Sequence, residues 1–197
     1  MPVRTEERLY RAFATLAPGP AGMEKRFPDS EHEVQGYFTT WNKPYLLWGD
    51  YSEEIDRNAL DAADLSDVIM QYDHAGKVLA RRTNGSLLID SLDAVGPFFA
   101  ADLSKSKAAK DLYEEVQARL ITRMSWAFTV LEEKFNTETK TWTILKVKRV
   151  FDVSAVSIAA NDATEISARS RVDGAIEAEK RESLARKAKA LALLTRL

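Results

Sequence analysis

The residues able to do acid–base or nucleophilic chemistry are few. The chain holds two histidines, His32 and His74, and no cysteine in 197 residues. Missing thiols remove disulfides, a cysteine nucleophile and Cys-ligated zinc together. Two histidines exclude a His-rich metal centre, while a carboxylate-built magnesium or calcium site is left open. His74 stands in Gln71-Tyr72-Asp73-His74-Ala75-Gly76, where the apolar run Val68-Ile69-Met70 gives way to a turn. A rigid strand end presents a side chain well, so the position suits a general base as readily as a plain turn residue. His32 lies in the charged run Asp29-Ser30-Glu31-His32-Glu33 and reads as a solvated surface histidine.

A histidine base needs a hydroxyl to deprotonate and an acceptor for its other ring nitrogen. Ser125, in Arg123-Met124-Ser125-Trp126-Ala127-Phe128, is a single hydroxyl inside otherwise apolar strand sequence. It reads either as a nucleophile or as an inward serine bonded to backbone. Asp152, in Val150-Phe151-Asp152-Val153-Ser154, is a carboxylate lodged among β-formers. Unpaired burial of that charge is costly, so it is either held by a donor or faces solvent from an edge strand. The residues alone leave these alternatives open. There is no EF-hand loop, no glycine-rich phosphate loop and no G-x-S-x-G nucleophile elbow.

The elements that must position these residues follow from composition and pattern. With 45% hydrophobic and 29% charged residues, the chain has the makings of one globular domain carrying terminal arms. A net charge of −2 argues against nucleic-acid binding by the whole molecule. No apolar run reaches the ~18 residues needed to span a bilayer, and the start MPVRTEERLY lacks a signal-peptide core, so a soluble intracellular protein without membrane partners is expected. Residues 1–30 read as a helical arm, with a helix over 5–16 stopped by Pro18-Gly19-Pro20. Residues 169–197 carry eight Lys/Arg against four Asp/Glu, net +4. They read as a basic amphipathic helix after Gly174, with Ile176, Leu184, Ala188 and Leu191 at near-helical spacing.

Between the arms, residues 31–168 read as mixed α and β. Strands are expected over 34–41, 67–72, 77–82, 86–90, 97–103, 121–133, 141–151 and 153–158. A short helix is expected over 56–64 and an amphipathic one over 106–120, with 42–51 as a loop. Asn84-Gly85 is the strongest hairpin dipeptide in the chain. The pattern predicts an α+β fold: a mostly antiparallel, closed or nearly closed β barrel flanked by helices, with helical arms at both ends. Trp41, Trp48 and Trp126 read as core, or as the lining of a groove.

The order of these segments resembles the prohead (capsid maturation) serine proteases of tailed bacteriophages, whose fold is similar to that of the herpesvirus assemblins. The likeness covers about residues 33–165. It is carried by Val34-Gln35-Gly36-Tyr37-Phe38-Thr39-Thr40-Trp41-Asn42, by Glu54-Ile55-Asp56-Arg57-Asn58-Ala59-Leu60, by Tyr72-Asp73-His74 with the hairpin after it, by Ala100-Ala101-Asp102-Leu103 leading to Arg123-Met124-Ser125-Trp126-Ala127-Phe128, and by Phe151-Asp152-Val153-Ser154-Ala155-Val156-Ser157. The resemblance implies a serine endopeptidase with His74 as base, Ser125 as nucleophile and Asp152 as orienting group, in that chain order. It implies action in the host cytoplasm, inside the assembling procapsid, with no cofactor. Its substrates would be the scaffolding protein, or a delta-like segment of the major capsid protein, and the protease itself. A homo-oligomer is compatible with it, and self-cleavage would remove the basic tail. Backbone donors for an oxyanion are expected over residues 159–162. Ala75 stands where the family commonly has Asp, and Ala127 where it commonly has Gly. The rival reading is a non-catalytic capsid-assembly or scaffold protein that retains the fold.

Overall fold

The computed structural model describes residues 8–15, 17–18, 25–157, 181 and 184–186. Along them run β1 (Leu9–Thr15), β2 (Ala17–Pro18), β3 (Glu33–Tyr37), β4 (Tyr45–Trp48), β5 (Tyr51–Ile55), β6 (Ile69–Tyr72), β7 (Ala75–Arg81), β8 (Leu87–Asp90), β9 (Phe98–Asp102), helix α1 (Lys107–Gln117), β10 (Arg123–Asn136) and β11 (Thr141–Val156). The fold is α+β and mostly β.

The strands form two sheets. The larger has the order β1-β10-β11-β5-β4, with β6 also on β11 and β7 on β6; the smaller is β2-β3-β9-β8. The long antiparallel hairpin β10–β11 is the spine. Positions 124–130 of β10 are buried without a break, the mark of a strand covered on both faces. On one face Met124, Trp126 and Phe128 enter the core, where the Trp126 ring lies 3.9 Å from that of Phe128 and 5.2 Å from that of Phe38. Helix α1 starts where the Ser106 hydroxyl accepts the Ala109 N–H at 3.2 Å, and it buries Ala109, Leu112 and Val116.

The outer edge of β11 is shared in an order that matters for the site. β5 pairs with it in parallel up to Ile144, and β6 pairs with it in parallel from Asp152. Between them the edge is closed by residues 56–64. The Val147 N–H donates to Ala59 O at 2.8 Å and the Val150 N–H to Asp64 O at 3.1 Å. Those carbonyls are therefore taken by a strand, which is why the helix expected over 56–64 is a run of turns instead.

Other expectations are corrected as well. The two sheets do not make a closed barrel among the described residues. The larger sheet nonetheless curls: Arg11 on β1 forks onto Glu53 on β5, with Nε 2.5 Å and Nη2 2.8 Å from the two carboxylate oxygens. Those strands are three positions apart, about 14 Å in a flat sheet. Residues 9–15 of the expected N-terminal helix form β1, since pairing with β10 and this buried ion pair outweigh the helix preference of Leu, Arg and Ala. The expected loop 42–51 contains β4 and the start of β5, folded back at Gly49, whose φ is +54°. Asn84-Gly85 closes no hairpin: residues 82–84 form a 3-10 turn that carries the chain from β7 in the larger sheet to β8 in the smaller. Strands expected over 141–151 and 153–158 are joined in the single strand β11, which ends at Val156, and residue 158 lies outside the described residues. The expected C-terminal helix lies mostly outside the described residues; Arg181, Leu184, Ala185 and Arg186 are helical.

Candidate active site

Ser125 lies on β10 with β1 on one side and β11 on the other. Side chains alternate along a strand, so the residues that point Met124, Trp126 and Phe128 into the core point Ser125 and Ala127 the opposite way. Opposite them on β11 stand Ser154 and Asp152 respectively. The register slips by one residue just before Asp152, leaving Phe151 without a partner. Such a bulge bends the strand and re-aims the side chain beside it. Ser125 is 1% exposed and Asp152 2%.

His74 arrives from the side. β6 and β7 are joined by Asp73-His74 alone, because Tyr72 pairs with Ala75. Both turn residues have positive φ, +47° and +56°, the signature of a type I′ hairpin. β6 lies on β11 next to Asp152, so the turn hangs the imidazole over the carboxylate and the hydroxyl. His74 Nδ1 is 2.5 Å from Asp152 Oδ1, and His74 Nε2 is 2.7 Å from Ser125 Oγ. The carboxylate only accepts, so Nδ1 carries the proton and donates to Asp152. That assignment leaves Nε2 with a lone pair to accept from the Ser125 hydroxyl. The Ser154 hydroxyl donates to the same Asp152 oxygen at 2.7 Å and accepts the Gln71 N–H at 3.3 Å. The ring of Tyr10 packs edge-on against the imidazole, with centroids 4.7 Å apart. The His74 side chain remains 13% exposed and is the wettest of the three.

The structure thus brings His74, Ser125 and Asp152 into one hydrogen-bonded chain. His32 is elsewhere, half-buried against the ring of Tyr113 at 5.0 Å. Trp41 and Trp126 are core residues, and Trp41 Nε1 donates to Asp93 O at 2.8 Å. The expected oxyanion stretch, residues 159–162, lies outside the described residues. Ser154 and Tyr10 were not singled out by sequence reasoning. Ser154 had a signal, standing two residues from Asp152 on the same strand face; Tyr10 had none, because its segment read as helix. A cleft of about 550 Å³ between β7 and α1 borders the His74 turn, lined by Tyr72, Asp73, Gly76, Leu79, Ala108 and Leu112 among others, but it does not contain the three residues. Among the described residues no group of three or more His, Asp and Glu could hold a metal ion, and no helix is long and apolar enough to cross a membrane.

An acid, an imidazole and a hydroxyl joined in this order have the geometry of the proton relay of serine hydrolases. The family model described as caudovirus prohead serine protease matches residues 22–179. The match spans most of the chain, from before β3 to beyond β11, and includes His74, Ser125 and Asp152 while β1 and β2 precede it; the protein belongs to that family. Membership implies a serine protease of phage capsid maturation acting within the procapsid. No curated protein and no solved structure matches the chain.

Proposed function

We propose that the protein is the endopeptidase of prohead maturation and that Ser125, His74 and Asp152 carry its chemistry. His74 Nε2 takes the proton of the Ser125 hydroxyl as Oγ attacks the scissile carbonyl carbon. The same nitrogen then gives that proton to the departing amine, leaving an acyl group on Ser125. A water deprotonated by His74 releases the acyl group as a carboxylate and restores the hydroxyl. Asp152 fixes the ring in the tautomer with a proton on Nδ1 and stabilises the imidazolium formed at each transfer. The carboxylate is already desolvated and hydrogen-bonded before reaction, so little reorganisation is left for the moment of proton transfer. The single observation that carries this reading is the continuous path of 2.7 and 2.5 Å from Ser125 Oγ through His74 to Asp152.

The substrates under this reading are segments of the scaffolding protein or of the major capsid protein, together with the protease's own chain. The basic segment 169–197 is the proposed site of self-removal. The assemblin likeness is part of the same proposal and rests on the chain order of base, nucleophile and orienting group. A non-catalytic scaffold protein is the alternative, and it gives no reason to keep a buried carboxylate, a half-buried imidazole and a buried hydroxyl in register. Intact-mass measurement of wild type beside Ser125→Ala, both held for hours at high concentration, tests the proposal. Loss of a terminal segment in wild type alone supports it; full-length masses for both, with procapsid shell proteins also left uncut, count against it.

A further inference from the structure

His74 occupies the second central position of a two-residue type I′ turn, with φ at +56°. Both central positions of that turn favour Gly, Asn and Asp, because a side chain in the left-handed region crowds the following carbonyl. A histidine there breaks a local rule at the very residue proposed as base, and such exceptions persist only where the surroundings over-determine them. Here the surroundings are visible. The Asp73 N–H donates to Ala155 O at 2.8 Å. The Ser157 N–H donates to Asp73 Oδ1 and the Ser157 hydroxyl to Asp73 Oδ2, both at 2.8 Å. On the far side of the hairpin Gln71 Nε2 donates to Gly76 O at 3.1 Å. All three bonds from Asp73 run to the end of β11, the strand that carries Asp152.

We infer that Asp73 is a positioning residue for the base: with Ser157 it clamps the hairpin turn to the strand bearing Asp152 and so holds His74 in the left-handed conformation that aims its ring at Ser125. This deepens the proposed function, since it rests on His74 acting as the base. Asp73 and Ser157 are both exposed. Exposed hydrogen bonds add little to global stability, so their weight falls on geometry.

The turn itself supplies a discriminating variant. In Asp73→Gly the turn carries glycine at its first central position, the requirement of a type II′ turn, in which only that residue has positive φ. Residue 74 is then released to negative φ, and its Cβ swings away from Ser125. In Asp73→Asn the amide keeps one acceptor and one donor for Ser157, and asparagine tolerates positive φ well.

The experiment measures two properties of wild type, Asp73→Gly and Asp73→Asn: labelling by a fluorophosphonate serine-hydrolase probe, and the proton resonance of His74 Nδ1–H bonded to Asp152. The resonance is assigned with His74→Asn, a simple matter with two histidines in the chain. The inference predicts that Asp73→Gly loses the resonance and that its maximal labelling rate falls roughly a hundredfold, with the half-saturating probe concentration nearly unchanged. Asp73→Asn keeps both properties, and melting temperatures stay close to wild type. An Asp73→Gly protein that keeps the resonance and its labelling rate overturns the clamp. If the catalytic reading itself is wrong, wild type does not label at Ser125. The resonance needs no turnover, and its loss or retention in Asp73→Gly still decides the clamp.

Discussion

Asp152→Asn separates what the carboxylate does by charge from what it does by shape. Both donors, His74 Nδ1 at 2.5 Å and the Ser154 hydroxyl at 2.7 Å, converge on one oxygen of Asp152. An asparagine can leave its carbonyl oxygen in that place and keep both hydrogen bonds, so the ring retains its tautomer. What disappears is the negative charge that faces the imidazolium in the transition state. With the charge centres about 4 Å apart and an effective dielectric of about 20, the lost attraction is about 4 kcal/mol. At about 1.4 kcal/mol per decade, that is roughly a thousandfold in rate. The assay is the pseudo-first-order rate of fluorophosphonate labelling at Ser125, with circular dichroism melting as the check that the variant folds. Asp152→Ala, which removes the acceptor as well, should be slower still. An Asp152→Asn protein that labels within fivefold of wild type refutes the reasoning. It would mean that Asp152 is a structural acid and that His74 works without it.

Two further outcomes concern the scaffold. Arg11→Met leaves the buried Glu53 carboxylate without its guanidinium partner and should cost about 3–5 kcal/mol in urea unfolding. Burial opposes the Arg11 charge, yet Glu53 outweighs it and raises the guanidinium pKa, so Arg11 stays charged. The double variant Arg11→Met, Glu53→Leu should recover most of the loss; a single variant within about 1 kcal/mol of wild type contradicts the pairing argument. Burial also works against the Asp102 carboxylate, but the Ser30 hydroxyl, the Lys105 ammonium and the Ser104 N–H hold its pKa below the ordinary 3.8. A folded value below the unfolded one means that Asp102 stabilises the protein above pH 3.8 and loses that contribution as the pH falls toward its folded value. The stability gap between wild type and Asp102→Asn should therefore narrow from pH 5 down to pH 2, and a constant gap would falsify the assignment.

The candidate residues were more legible than the architecture, although only the family resemblance joined them into one site. Ser125 and Asp152 are polar residues in apolar strand sequence, and such exceptions stand out because burial without a partner is expensive. His74 stood out through scarcity, one of two histidines. Strand positions on β3, β6, β9 and β10 followed from alternation and β-formers, and α1 from its apolar stripe. The pairing of strands was not legible, because it depends on partners distant in sequence. Leu9-Tyr10-Arg11 looks helical until β10 offers an edge and Glu53 a buried charge. Asn84-Gly85 looks like a hairpin until the chain changes sheets there. The true hairpin, Asp73-His74, was hidden because histidine is a poor predictor of positive φ. Its side-chain clamp needs Ser157, 84 positions away.

The most direct measurement of the central claim is peptide mapping of the fluorophosphonate adduct by mass spectrometry, on wild type and on His74→Ala. The account predicts a single adduct, on Ser125, formed by wild type and lost in His74→Ala. An adduct on another serine, or labelling of Ser125 that is indifferent to His74, would contradict it.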